Sequence, residues 1–502
     1  MKEIRELAKL VNRNKVKHIK LLNLQETPQS KINRLYVAVS EGSVKTDEEA
    51  KALLGGAALS ASSYANIKAE LRNRLMNTLL FIDVDKRNYT DRQAAYLSLQ
   101  KEVAAGKLLL VKGGLTPAVR QLEKSLTTAL RFEFTEIVVE LSRILRLQYA
   151  TRFSVKGKYE KYRDLYQKQL ELENWENEAE AAYASLMHEY RTMRRLDEEL
   201  AELAKVKYQR LATVKPVIDS YKFLLYSSLV NFFQFTCKND YESVIPLAQQ
   251  SIEIFIAKPY QAATAIQLCL HHQLVGYLQL GDYEGGLEVG LMSKRLLEKG
   301  KLNWFKNLEY LLILAMHTER YQDAYQHYRE AIGNSRFKSL PREEIEIWDI
   351  YRAYLHFLVQ REDIQPDKKD KHFTTFRINR FLNDKPHFFK DKRGMNVAIL
   401  IAQILFYLQR GDQDAVVDRM DAIEKYAHRN LYREDSLRSY YMVRLLLTLP
   451  KAGFKRSEVL KKAKRSLNKL AETSGLRSNP VHKMEIIPYE KIWGFALEVL
   501  KE

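Results

Sequence analysis

The sequence contains few of the residues that interrupt or cross-link a chain. Its 502 residues include only 19 Gly, 11 Pro and 2 Cys. Sheet-rich folds need frequent Gly and Pro turns, whereas helical hairpins need few, so this composition favours an all-α protein. Two cysteines, Cys237 and Cys269, are too few for a disulfide framework or a cysteine-rich zinc cluster. We expect both to be small, buried apolar side chains.

Long hydrophobic runs are also absent. The longest, residues 397–408, covers 12 positions and is interrupted by Gln403. A bilayer-spanning helix needs about 20 apolar residues, so this run predicts a buried helix instead. The N-terminal residues Met-Lys-Glu-Ile-Arg-Glu lack the apolar core of a secretory signal. We therefore expect a cytoplasmic protein without membrane insertion.

Motifs that carry catalysis are missing as well. The sequence has no Gly-rich phosphate loop, His-Glu-x-x-His, Gly-x-Ser-x-Gly or Cys-x-x-Cys pattern. His271 and His272 are adjacent, and adjacent side chains on a helix point about 100° apart, which favours packing or surface roles over chelation. Asp83 and Asp85 lack further ligands. The sequence thus predicts a protein that is not an enzyme and needs no cofactor or metal.

Positive charge is abundant and unevenly distributed. The formal net charge is +18, and three segments account for all of it: residues 1–34 (+6), 366–393 (+5) and 451–477 (+7). Such runs indicate acidic partners at particular places or a surface that keeps the protein soluble. Solvated charge runs are common, so the second interpretation is favoured.

A repeated peptide is the strongest internal signal. Residues 277–285 (YLQLGDYEG) return as residues 407–415 (YLQRGDQDA). Tyrosines at predicted turns are separated by 82, 42 and 38 residues, which is a period near 40; they are Tyr159, Tyr241, Tyr283 and Tyr321. A period of this length with helical patterns on both sides predicts stacked helical hairpins.

These turns resemble the tetratricopeptide repeat, in which a Gly-Asp-Tyr-like turn joins helices A and B. The matching positions are Tyr277, Gly281, Asp282, Tyr283 and Gly286, then Tyr321, Ala324, Tyr328 and Ala331, then Tyr407, Gly411 and Asp412, with Gly157 and Tyr159 earlier. The unit is nearer 40 residues than the family's 34, and its inter-repeat proline is missing. The resemblance covers residues 88–475 and implies an α-solenoid of TPR-like hairpins with an N-terminal helical cap. Residues 381–396 are also similar to a stretch of bacterial helical-repeat proteins, which implies no activity.

Four segments follow from these patterns. Residues 1–85 form a basic N-terminal helical domain, residues 88–360 form TPR-like repeats, residues 361–395 form a basic and aromatic insertion, and residues 396–502 form C-terminal repeats and closing helices. Within the repeats, the pattern predicts separate helices over residues 159–172 and 175–193.

The resemblance implies a partner-binding groove lined by the A helices. Positions carried over from the family are Tyr226, Leu229, Phe233, His271, Val275, Lys306 and Glu309. Their mixture of aromatic, apolar and charged groups suits an extended or helical peptide. An equally weighted interpretation is that several of them belong to the core.

Two basic regions carry an alternative. Residues 47–81 resemble a helix-turn-helix DNA reader, with Lys68, Arg72 and Arg74 on the second helix. The turn is longer than usual, which favours a helical cap. The insertion interleaves aromatics with bases, including Arg377, Arg380, Lys390, Lys392 and Arg393. Such a mixture can bind nucleic acid, although the spacing of Phe373, Phe376 and Phe381 favours an amphipathic helix with buried rings.

We therefore expect a non-enzymatic helical-repeat scaffold or adaptor that binds a protein or peptide along its concave face. The alternative is a nucleic-acid-binding regulator in which the basic N-terminal helices read the nucleic acid and the repeats serve as a sensor or assembly arm. The sequence leaves the identity of the partner and the oligomeric state open.

Overall fold

The computed structural model describes residues 30–79, 91–153, 155–193, 198–367, 370, 376, 395–430, 437–473 and 485–500. The regular structure of these residues is helical, and no strand occurs among them. The all-α class predicted from the low Gly and Pro content is therefore confirmed. No helix within these ranges is both long and apolar enough to cross a membrane.

The contacts divide the chain into two compact units. The first comprises Met1–Glu173 with Pro259–Gln261, and the second comprises Asn174–Lys258 with Ala262–Glu502. The helices that begin in the first unit are α1 (Lys31–Ser40), α2 (Asp47–Leu54), α3 (Ala61–Leu79), α4 (Asp91–Val111), α5 (Leu115–Arg131), α6 (Thr135–Thr151) and α7 (Lys158–Met193).

The helices of the second unit follow in adjacent packed pairs. They are α8 (Glu198–Ala212), α9 (Tyr221–Cys237), α10 (Tyr241–Ile256), α11 (Ala263–Leu280), α12 (Tyr283–Leu296), α13 (Leu302–His317), α14 (Tyr321–Ile332), α15 (Arg342–Gln360), α16 (Met395–Gln409), α17 (Gln413–Asn430), α18 (Leu437–Leu446), α19 (Thr448–Lys451), α20 (Arg456–Glu472) and α21 (Tyr489–Glu498). Each helix from α8 to α14 packs against the next, and α11 also contacts α13.

The same turn geometry joins the two helices within several of the hairpins. Gly281 ends α11 with a left-handed φ of 71°, and the amide of Asp282 then donates to the carbonyl of Tyr277 at 3.0 Å. This ending satisfies carbonyls that the helix itself leaves unpaired. Amides at the equivalent position of other turns make the same bond; they belong to Gly114, Phe134, Asp240, Arg320 and Asp412.

The aspartate of the repeated peptide begins the second helix. The side chain of Asp282 accepts a hydrogen bond from the amide of Gly285 at 3.1 Å, and Asp412 accepts one from Ala415 at the same distance. An aspartate at this position pairs one of the free amides at a helix start. The Gly-Asp pair therefore recurs because one residue ends a helix and the other begins the next.

Small residues allow the helices of the second unit to approach closely. A Cβ atom placed on Gly290 would collide with Leu311, and one on Gly286 would collide with Leu314. Both leucines lie on α13, the first helix of the following hairpin. Gly286 also faces Tyr277 of α11. A Cβ atom placed on Gly286 would lie 3.2 Å from the Cβ atom of Tyr277. The predicted role of this glycine in close packing is thus found, and it involves the neighbouring hairpin as well.

The predicted break between residues 172 and 175 was wrong. A single helix, α7, runs for 36 residues from Lys158 to Met193. The sequence between these residues contains neither Gly nor Pro. Without a residue that favours a left-handed φ or removes an amide donor, nothing in the chain ends the helix.

The closing helix α21 packs onto the second unit through a buried ion cluster. Arg438 pairs with Glu485 at 2.6 Å and with Glu490 at 2.8 Å. The ring of His317 on α13 lies 2.7 Å from the backbone carbonyl of Glu485. The core of this helix includes Ile492 and Trp493. The C-terminal end of the described chain is therefore anchored to helices that lie far from it in sequence.

Most of the basic and aromatic insertion lies outside the described residues. Its first residues contact α14, where Arg329 pairs with Asp367 at 3.2 Å and with Asp370 at 3.3 Å. Phe376 is not in a helix, and its ring lies 4.9 Å from that of His356 on α15. This phenylalanine is half-buried and its backbone is not helical as predicted, while Phe373 and Phe381 lie outside the described residues.

Candidate functional site

A set of rings, half-buried or exposed except for one buried phenylalanine, follows the first helices of successive hairpins in the second unit. We call it the aromatic row; its members are Tyr183, Tyr190, Tyr226, Phe233, His271 and Tyr310. They lie on α7, α9, α11 and α13. Beneath the row, Ala179, Ala182 and Leu186 of α7 pack with Phe223 and Val230 of α9 in one buried cluster. The core contacts of these helices thus fix the side from which the rings project.

The ring contacts have a regular sequence offset. Tyr183 lies 5.9 Å from Tyr226, and Tyr190 lies 6.3 Å from Phe233, measured between ring centroids. Both pairs are 43 residues apart, and the members of each helix are seven residues, or about two turns, apart. Equal offsets mean that α7 and α9 run in the same direction. Farther along, His271 lies 5.0 Å from Tyr310 at an offset of 39 residues.

The tyrosines of the row present hydroxyls that no described residue engages. Tyr183, Tyr190, Tyr226 and Tyr310 are half-buried, and no hydrogen bond joins their hydroxyls to the rest of the described chain. Burial, followed by the nearby Glu309 carboxylate, raises the pKa of Tyr310 to about 12. Burial also raises the pKa of Tyr190. At neutral pH these hydroxyls are uncharged groups that can donate and accept hydrogen bonds.

His271 of the row and its neighbour His272 are held in their neutral form. His271 has an exposed edge, yet the surrounding protein lowers its pKa. Burial, followed by the neighbouring His271, lowers the pKa of His272 to about 3. The ring of His272 packs against Phe232 at 5.2 Å, and the two histidine rings are 6.0 Å apart. The adjacent rings therefore have different packing partners, as their separation around the helix predicts.

A buried charge cluster lies beside Tyr310. The ammonium of Lys306 is 3.0 Å from the Glu309 carboxylate and also contacts Glu344. The hydroxyl of Tyr351 donates to Glu309 at 2.7 Å. Burial alone would lower the pKa of Lys306, but Glu309 and Glu344 outweigh it and hold that pKa above its usual value. Lys306 is thus a fixed cation with a quarter of its side chain exposed.

The residues predicted to line a groove have three different environments. Tyr226, His271 and Lys306 reach the surface, and Val275 is half-buried one turn after His271. Phe233 is 8% exposed but touches Tyr190, so it supports the row from below. Leu229 and Glu309 are 4% and 3% exposed. Leu229 belongs to the core, and Glu309 acts through Lys306 and Tyr351.

Sequence reasoning missed Tyr183, Tyr190 and Tyr310. The signal for the first two was present, because they repeat the seven-residue spacing of Tyr226 and Phe233 at an offset of 43 residues. Both tyrosines lie within the predicted helix over residues 175–193, so the predicted break did not hide this spacing, which could have been found in the sequence.

The basic residues predicted on the N-terminal helices are largely paired. Lys68 lies 2.7 Å from Asp47, and Arg74 lies 3.1 Å from Glu70, while Arg72 is exposed. Thr46 and Glu49 form the capping box that begins α2. The five insertion residues Arg377, Arg380, Lys390, Lys392 and Arg393 lie outside the described residues, as do Asp83 and Asp85.

No group of three or more His, Cys, Asp or Glu side chains in the described ranges is arranged to hold a metal ion. Comparison with known proteins found no match to any family model, curated protein or solved structure.

Proposed function

We propose that the chain is a TPR-like, non-enzymatic scaffold of the cytoplasm that binds a peptide segment of another protein along the aromatic row. The observation that carries this proposal is the set of half-buried tyrosines whose hydroxyls lack a partner among the described residues. Tyrosine supplies a large apolar surface together with a polar tip, and it is enriched at protein interfaces for that reason.

The arrangement of the row supports an elongated ligand. Two pairs of rings join α7 to α9 and repeat after two helical turns, and a third ring contact joins α11 to α13. An extended or helical peptide that crosses these helices can place successive side chains against successive rings. Lys306, held by Glu309 and Glu344, adds a fixed polar group beside Tyr310 that can donate a hydrogen bond to that peptide.

Selection from a random peptide library on the full-length protein tests this proposal. We expect selected peptides to lose about tenfold or more in affinity when Tyr190 or Tyr310 is replaced by Ala, because central aromatic anchors contribute most to such interfaces. Fluorescence anisotropy with labelled peptides measures the dissociation constants. The variant Tyr310→Phe separates the contribution of the hydroxyl from that of the ring.

The matched control is Tyr159→Ala, since Tyr159 is 38% exposed and lies outside the row. Its affinity for the same peptides should equal that of the unchanged protein. Equal losses in the control and the row variants, or selection of peptides that ignore the row, would remove the support for this function.

A further inference from the structure

The turn and helix around α20 carry a strong excess of positive charge. Residues 448–473 contain eight Lys or Arg and two Glu, for a net charge of +6. Both acids are already paired: Glu458 with Lys461 at 2.9 Å and Glu472 with Lys469 at 2.6 Å. The excess is therefore not neutralised within this segment.

The remaining cations face solvent. Val459, Ala463 and Leu470 are buried on one side of α20, which packs against α18, α19 and α21. This buried side directs the basic positions outward. Five exposed cations form no ion pair with a described residue; they are Lys451, Lys455, Arg456, Lys464 and Arg465.

The spacing of the charges places like charges next to one another. Lys461, Arg465 and Lys469 follow at intervals of four residues, which is a rise of about 6 Å per step, and Arg465 between the two paired lysines has no described acidic partner. Like charges at this interval destabilise a helix. A solubilising surface needs no such series, because interspersed charges of both signs serve equally well. A polyanion along the helix relieves the repulsion.

We propose that the exposed face of α20 binds the phosphate backbone of nucleic acid. No aromatic residue occurs between positions 455 and 473, whereas protein interfaces are enriched in aromatics and depleted in Lys. Leu460, at 45% exposure, is the one large apolar side chain of α20 that is exposed, so the helix has no continuous apolar face to insert into a membrane. Dense lysine and arginine without aromatic anchors fits phosphate groups, which are bound through their charge and not through base sequence.

The test measures the affinity of the full-length protein for a labelled single strand and for a labelled duplex between 50 and 200 mM salt. Fluorescence anisotropy of the label reports the binding. The double variant Lys464→Gln with Arg465→Gln removes two unpaired cations from exposed positions. We expect at least a tenfold weaker affinity at low salt. The slope of log affinity against log salt should become shallower by about 1.8 for the duplex and about 1.4 for the single strand. The arm with the tighter binding identifies the preferred form.

The matched control is Arg295→Gln with Lys299→Gln, which changes the same charges at exposed positions elsewhere in the second unit. Its affinity and salt slope should remain those of the unchanged protein. Equal losses in both double variants would show a general charge effect and overturn the proposal. So would a lack of binding by the unchanged protein, or equally tight binding of poly-glutamate. Circular dichroism melting of each variant verifies that it remains folded.

Discussion

At the scale of single residues, the closest helix contacts of the second unit depend on the missing side chain of glycine. Gly290 of α12 faces Leu311, whose side chain is fully buried and has little space to move. Gly494 of α21 is also helical, but a Cβ atom there would meet nothing within 4 Å. Alanine substitutions at the two glycines therefore separate the energetic cost of crowding from the gain in intrinsic helix propensity.

We expect Gly290→Ala to destabilise the protein and Gly494→Ala to stabilise it. Alanine favours a helix over glycine by about 1 kcal/mol, and crowding in a packed core costs about 1–3 kcal/mol. The free energy of unfolding should thus fall by up to about 2 kcal/mol for the first variant and rise by up to about 1 kcal/mol for the second. Urea denaturation measures both, and stabilisation by Gly290→Ala would contradict the close packing.

At the scale of the element, α21 depends on Arg438. This arginine is 11% exposed, it pairs with two carboxylates, and its partner Glu485 is 8% exposed. Removing one partner from a buried pair leaves the other charge without compensation, which costs about 3–5 kcal/mol. A second arginine also contacts α21. The guanidinium carbon of Arg361 lies 4.0 Å from the centroid of the Phe495 ring on this helix.

Arg438→Ala should therefore lower the free energy of unfolding by about 3–5 kcal/mol. Denaturation followed by tryptophan fluorescence measures the loss and also reports on Trp493 of α21. Arg342→Ala is the control, because the Arg342 side chain is 92% exposed and its pair with Glu346 spans one helical turn. Such surface pairs contribute about 0.3–0.5 kcal/mol, so similar losses in the two variants would argue against the ion cluster as the anchor.

At the scale of the whole molecule, histidines in buried or half-buried positions make the fold sensitive to acid. Burial, followed by nearby charge, lowers the pKa of His272 to about 3 and of His327 to about 4, and the Nε2 atom of His327 has no hydrogen-bond partner among the described residues. Burial is also the main cause that lowers the pKa of His317. In the unfolded chain a histidine has a pKa near 6.5, so below that pH the unfolded state binds protons that the folded state does not.

Stability should accordingly be constant above pH 7 and decrease from about pH 6.5 downward, by up to about 1.4 kcal/mol per pH unit for each buried histidine. Urea denaturation at pH 7.5, 6.5, 5.5 and 5.0 measures this decrease before carboxylates titrate. His327→Gln should reduce the slope. An unchanged free energy of unfolding between pH 7.5 and 5.0 would refute the prediction.

The sequence by itself determined the all-α class, most helices and the turns that join them. Gly281 and Asp282 have local roles, a left-handed φ and a helix cap, and local roles are visible in a short peptide. The burial of Cys237 and Cys269 was also predicted and is confirmed, at 4% and 0% exposure. The continuity of α7 could also have been predicted, because its sequence contains neither Gly nor Pro, although we predicted a break there.

Only the tertiary structure decided which side chains meet. Tyr183 and Tyr226 lie 43 residues apart, and no local preference specifies that their rings touch. Whether Leu229 faces the core and Lys306 the surface depends on the rotation of each helix against its neighbours, which packing fixes. The same holds for charge. Lys68 and Lys464 look alike in the sequence, yet one meets Asp47 from another helix and the other faces solvent without a described acid.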